Sequence, residues 1–322
     1  MTVGDAASRK AAYQQVQESA GFCRALGATL IELSGQDRVS FLHNLCTADI
    51  KGLKTGEGCE LFFTDVQGKT IGFGYVFAGD HTLLFSTAAD QAEVLLPHLD
   101  RYQIREDVQC SDRSRQWQQW ALCGPKAEFL CEEILGVKID SKNLCFAQTT
   151  WESIKLRCCR TDFFGLPGFL LQIESETAES LAEAWAAQAI ECDPTVFDFL
   201  RIQAGSPVFG RDISPKNFPQ EIDRDARAIS FNKGCYLGQE TIARIDALGQ
   251  VQQLLRQLAI SNADPSPASG DRLEAAGKTA GHFTSVGRNL KDGQIVALGF
   301  VRRAYADSGV ELAFTSGSVK VV

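Results

Sequence analysis

The chain carries eleven cysteines in 322 residues, yet no two of them stand at Cys-x-x-Cys spacing. That absence argues against a zinc ribbon, a thioredoxin-type redox motif and a ferredoxin-like cluster site. Cys158 and Cys159 are adjacent, which suits neither a disulfide nor joint chelation. An odd, scattered set of thiols fits a reducing compartment. Histidine is scarce: His43, His81, His98 and His282 lie far apart in sequence, so a histidine metal site has weak support. Positive charge is also short. A formal net charge of −8 disfavours nucleic acid as a partner. No apolar run approaches the roughly 20 residues that span a bilayer, and Met1 to Lys10 lack the basic start and apolar core of a secretory signal. The expectation is a cytoplasmic protein with no membrane partner.

What is present is ordinary for a globular protein: 44% hydrophobic and 22% charged residues, in a chain long enough for two or three domains. Residues 5–20 read as an amphipathic helix, and 26–33 as a strand. A helix follows through Phe41, Leu42 and Leu45, then three strands between Cys59 and Ser86, then a helix from about Ala88 to Tyr102. The same order recurs: a strand near 116–123, a helix at 126–135, strands at 153–161 and 168–174, and a helix at 176–189. A short helix spans 194–204. After a strand at 254–260 only short strand candidates remain, at 277–286, 295–303, 310–314 and 317–322, the pattern of a small closed β domain. The fold class is therefore α+β: two related α/β modules, 1–115 and 116–250, and a C-terminal β-barrel, 251–322. Interleaving of the first two is left open.

The densest chemistry lies between Ser230 and Arg244. Gly234 and Gly238 permit backbone geometry that other residues resist. From Gln239 onward, Ile242, Ile245 and Leu248 form one apolar helical face, and Gly249 stands where a helix stops. Cys235 would lie at or just before that helix N-terminus, with Lys233 two residues away. The peptide dipoles and the cation both favour thiolate over thiol. The bland alternative is a buried cysteine acting as a small hydrophobe. From Arg201 to Arg244 seven basic residues face five acidic ones. That local excess suits a small anionic ligand, and a solvated charged face explains it about as well.

Lys233-Gly234-Cys235-Tyr236-Leu237-Gly238-Gln239-Glu240 resembles the Lys-Gly-Cys-aromatic-x-Gly-Gln-Glu signature of the YgfZ family. These are folate-binding proteins related to the glycine-cleavage T-protein, and they support iron–sulfur enzymes. Gly35–Leu45, Thr64–Lys69, Arg201–Asp212, Gly277–Gly281 and Ala297–Val301 resemble further family segments in the same order. The resemblance implies three domains in a ring around a tunnel that holds tetrahydrofolate or a derivative. It implies a monomer that meets iron–sulfur client or assembly proteins transiently. It makes Cys235 the functional thiol, with Lys233, Gly234, Tyr236, Gly238, Gln239, Glu240 and Arg244 as its motif. Folate binding falls to Arg201, Asp212, Glu221 and Lys233. Glu221 matches a T-protein glutamate that binds the pterin, since a carboxylate accepts two N–H donors at once. One departure favours one activity over another. Where the T-protein aminomethyltransferase carries an aspartate pair, this chain has Gly72 and Phe73, neither of which can act as acid or base. The expectation is an accessory protein; the alternative is a one-carbon transferase that uses other carboxylates.

Overall fold

A computed structural model describes residues 6–24, 26–174, 178–249, 251–260, 263–289 and 291–322. Helix α1 (Ala6–Glu18) and the short strand β1 (Gly21–Cys23) precede the first module. That module is a five-stranded sheet of β2 (Ala28–Ser34), β3 (Gly58–Thr64), β4 (Thr70–Ala78), β5 (Leu83–Ala88) and β6 (Gln109–Asp112), in the order β3-β4-β5-β2-β6. Helices α2 (Arg38–Leu45) and α3 (Ala92–Tyr102) share a core with one of its faces, through Phe41, Leu42, Leu95 and Leu99 against Leu61, Phe63 and Val76.

The second module repeats the plan. Its strands are β7 (Trp117–Cys123), β8 (Phe146–Trp151), β9 (Ile154–Thr161), β10 (Gly168–Glu174) and β11 (Ile190–Glu191), with helices α4 (Ala127–Leu135) and α5 (Ala178–Ala186). The sheet runs β8-β9-β10-β7-β1-β11, so its first four strands match β3-β4-β5-β2 of the other module. Where the first module places β6 beside β2, the second places β1 beside β7. The modules are thus interleaved: β1, numbered inside 1–115, is a strand of the second sheet.

Period-two alternation decides which face looks where. On β10, Phe169, Leu171 and Ile173 pack outward with Leu130 of α4 and Leu181 of α5, whereas Leu170 turns into the core between the two sheets. Phe62, Phe73 and Phe77 of the first sheet meet it there. Each such side chain contributes about 1.5–3 kcal/mol by leaving water.

The chain then passes through α6 (Pro194–Gln203), α7 (Asp225–Ala228) and α8 (Gln239–Leu248). Asp193 caps α6 by accepting from the Thr195 amide, and Pro194 sits at its first turn. Strands β12 (Gln253–Ile260), β13 (Arg272–Ala275), β14 (Lys278–Arg288), β15 (Ile295–Arg302), β16 (Glu311–Phe314) and β17 (Gly317–Val321) close into a six-stranded barrel. The barrel is fastened to α6 by a buried ion pair. Arg201, 2% exposed, meets Asp212, and it also bonds the Ser206 carbonyl, Asp198 and the Ser285 hydroxyl of β14. Asp212 in turn accepts from the Val208 amide and from the hydroxyls of Thr284 and Ser285.

Candidate functional site

The two sheets do not meet everywhere. A cavity runs between them, lined by Phe73, Tyr75, Ser86 and Thr87 of the first module and by Gln119, Phe163, Phe164 and Leu170 of the second. Pro207, Val208 and Phe209, which follow α6, close one side. It continues past Phe163, Phe164 and Phe209 into a wider, more open chamber of about 490 Å³ that ends at Asp198, Arg201 and Arg211. That volume is within the range of small-molecule sites, roughly 300–1,000 Å³. The narrow part is a slot of ring faces with few polar groups. Gln119 supplies one: its Oε1 accepts the Ser86 hydroxyl at 2.8 Å, and its Nε2 makes no hydrogen bond among the described residues.

Gly72 and Phe73 lie on β4, as the hairpin resemblance requires. Phe73 is a wall of the slot, its ring centroid 4.7 Å from that of Phe62. Gly72 faces α3, where an added Cβ would lie 2.9 Å from Leu95. No carboxylate is among the described residues lining the slot. The wider chamber holds one, Asp198, and it is bonded to both Arg201 and Arg211.

The signature loop sits elsewhere. It docks on the first module, although its numbering falls within 116–250. The Ser230 amide donates to the Thr47 carbonyl, the Leu237 amide to the Asn44 carbonyl, and the Thr64 hydroxyl to the Leu237 carbonyl. Gly238 has φ +81°, and a Cβ there would fall 2.5 Å from the Asp65 carbonyl oxygen, so only glycine fits against the β3–β4 turn. Tyr236 is buried. Gln239 begins α8, and Glu240 and Arg244 are exposed on it. Gly234 has open space around it.

Cys235 is exposed at the crest of this loop, in a shallow concavity with His43, Asn44, Asp49 and Lys51. It shares no lining residue with the inter-sheet cavity. Of the two thiolate-favouring groups that the sequence reading placed near the sulfur, Lys233 is spent on backbone carbonyls. Lys233 Nζ donates to the carbonyls of His43, Cys46 and Ala48, which uses all three of its N–H groups. Helix α8 begins at Gln239, four residues after Cys235. Lys233 is therefore an anchor that ties the loop to residues 43–48. His43 is pushed below its usual range, by burial first and then by Lys233 and Lys51, so its ring is neutral at pH 7.

The basic segment is neutralised in place. Arg224 and Arg227 both bond Glu60, which is 1% exposed, and Arg227 also forms a paired contact with Asp162. These bonds stitch β3, α7 and the turn after β9 together beside Tyr75. Arg201 and Asp212 spend their capacity on the barrel joint described above. Glu221 is buried against Asn217 and Gln253, whose amides donate to it, and it lines neither part of the cavity. Of Arg201, Asp212, Glu221 and Lys233, the structure thus places Arg201 at the wider chamber and Lys233 at the Cys235 concavity, and does not gather the four in one place. The cavity residues Gln119, Phe163, Phe164 and Phe209 went unmarked in the sequence reading. The signals were modest: two adjacent phenylalanines in a turn, and a glutamine on an inward strand position.

Two interleaved α/β modules, a barrel, a closed-in cavity and a thiol on a separate face define an aminomethyltransferase-like architecture. The GCVT N-terminal domain matches residues 5–233, and the chain belongs to that family. The crystal structure of the glycine cleavage system aminomethyltransferase T from Bartonella henselae superposes with a TM-score of 0.85 over 97% of this chain and 87% of that one, at 19% identity. A chloroplastic protein of Arabidopsis thaliana, named a putative transferase, is 28% identical over 87% of this chain; the match spans 64% of that protein's length. The tRNA-modifying protein YgfZ of Yersinia enterocolitica is 29% identical over 76% of this chain and 72% of its own length. Among the described residues no helix is long and apolar enough to cross a membrane.

Proposed function

We propose that the protein is a folate-binding accessory factor of the YgfZ type. It holds a reduced folate in the inter-sheet cavity and presents Cys235 to iron–sulfur enzymes or their assembly proteins. The residues present fit tetrahydrofolate. Phe73, Tyr75, Phe163 and Phe209 offer apolar ring surface for the pterin, and Gln119 offers an N–H that no described residue takes. When bound, the folate would supply a one-carbon carrier. The protein's own part is to stack the ring, exclude water from it and leave Tyr75 protonated, since burial and Glu60 both push that hydroxyl upward.

The observation that carries this reading is the separation of the two places. The slot has no carboxylate among its described lining residues to stabilise a cationic one-carbon centre, and the exposed thiol shares no lining residue with it. Direct tRNA contact is not part of the proposal: the net charge is −8, and Arg201, Arg211, Arg224 and Arg227 are paired with carboxylates. Calorimetric titration with tetrahydrofolate should give saturable one-to-one binding; no heat up to millimolar ligand would sink the proposal. A second expectation concerns turnover. With an aminomethylated lipoyl carrier and tetrahydrofolate the protein should release no ammonia above background, and clear turnover would restore the transferase alternative.

A further inference from the structure

Gln172 is an anomaly of the second sheet. It is fully buried on β10, and neither its Oε1 nor its Nε2 has a hydrogen-bond partner. Buried amides are rarely left so, because burial strips water from both groups without replacement. Its position is set by register. Gln172 pairs with Gln119 on β7 and with Arg157 on β9, and it shares a face with Leu170. Leu170 and Gln119 both line the slot. Arg157 is engaged elsewhere, its guanidinium 4.7 Å over the Trp117 ring and 3.9 Å from Glu32. Gln119, one strand away, also keeps a free Nε2. One side-chain amide at the wall of an aromatic slot, Gln119, and one buried beside it on the next strand, Gln172, therefore hold donors and an acceptor that no described residue engages.

Resting on the folate reading above, we propose that Gln119 reads the cyclic-amide edge of a heterocycle in the slot and that the buried Gln172 is its positioning residue. A glutamine amide is the complement of such an edge. Its N–H donates to the ring carbonyl and its oxygen accepts from the adjacent ring N–H. Gln119 borders the slot and touches the ring; Gln172, behind it, completes the pair once the ring draws the Gln119 amide. Neither group is charged, so recognition does not require a protonated ligand. The same edge occurs in reduced pterins and in guanine, and the two sources separate by experiment.

Calorimetry would compare the full chain with Gln172→Leu, Gln119→Leu and the double variant, using tetrahydrofolate, GMP and p-aminobenzoylglutamate, which lacks the heterocycle. Gln172→Leu should weaken tetrahydrofolate binding about 10- to 100-fold, the scale of one lost amide pair. It should leave p-aminobenzoylglutamate unchanged and keep or raise the ligand-free Tm, since leucine removes an unpaired buried amide. The double variant should bind no worse than the weaker single one, because the two amides act as a unit. GMP binding that Gln172→Leu weakens, with no tetrahydrofolate binding, would support the amide pair and overturn the folate reading. Tetrahydrofolate binding that Gln172→Leu leaves intact, or an equal loss for p-aminobenzoylglutamate, would overturn this inference alone. A wild-type protein that binds neither heterocycle would overturn both.

Discussion

Asp212→Ala is expected to lower the free energy of unfolding by about 3–5 kcal/mol, the cost of leaving one member of a buried ion pair without its partner. Arg201 would keep its bonds to Asp198, Ser206 and Ser285, but its charge would face a hole where Thr284, Ser285 and the Val208 amide had also been satisfied. The barrel should loosen first, because Asp212 accepts from two hydroxyls of β14, Thr284 and Ser285, and Arg201 would keep a single bond to that strand. Urea unfolding followed by fluorescence measures the loss, and limited proteolysis locates it. The double variant Arg201→Met, Asp212→Leu should recover much of the stability, since replacing both charges by apolar groups removes the desolvation cost together with the pair. A loss below about 1 kcal/mol, at the level of an exposed pair, combined with collapse of folate affinity, would show that Asp212 serves a ligand instead.

That expectation contrasts with the role Asp212 had on sequence grounds, and the contrast shows what local pattern can and cannot reveal. Helix and strand positions followed from periodicity and punctuation: Gly249 stops α8 where expected, and Gly168–Glu174 is the strand as read. Elements that lack their own pattern were missed. Strand β1 has three residues and β11 two, and both exist only because a neighbouring strand offers its edge. The same limit applies to function. A run of arginines and aspartates between residues 201 and 227 looks like a ligand site in one dimension. In three it is self-neutralising, since Glu60 and Asp162 arrive from other modules to pair with Arg224 and Arg227. Conversely, Gln119 and Phe163 have no local mark, because a cavity is made by sheets that approach from different parts of the chain. The signature loop was legible because the residues that fix it are adjacent in sequence: Lys233 and Gly238 flank Cys235, although what they grip, the carbonyls of residues 43–48 and the turn at Asp65, lies in the first module.

Cys235 should be the first thiol to react and the one whose loss removes function without removing the fold. It is the exposed cysteine among eleven; Cys59 and Cys110 are half-buried and the rest are buried. Burial pushes Cys46 and Cys110 up to about 11 and Cys192 up to about 12, so those sulfurs stay protonated and inert at neutral pH. Iodoacetamide at pH 7 should therefore label the native protein at Cys235 well before any other position, as peptide mapping would read. Cys235→Ser and Cys235→Ala should each shift stability by no more than about 0.5 kcal/mol, as for any surface site. Neither leaves a cavity, because the side chain stands in solvent. Support of iron–sulfur enzyme activity in cells lacking the native protein should fall about tenfold or more for both variants, since a hydroxyl stays protonated where a thiol can act as nucleophile or ligand. Lys233→Met separates geometry from sulfur chemistry. It releases the three carbonyls of residues 43–48, so the loop should loosen and function should drop even though the thiol remains. Full complementation by Cys235→Ser would remove the thiol from the mechanism and leave the loop as a docking surface alone.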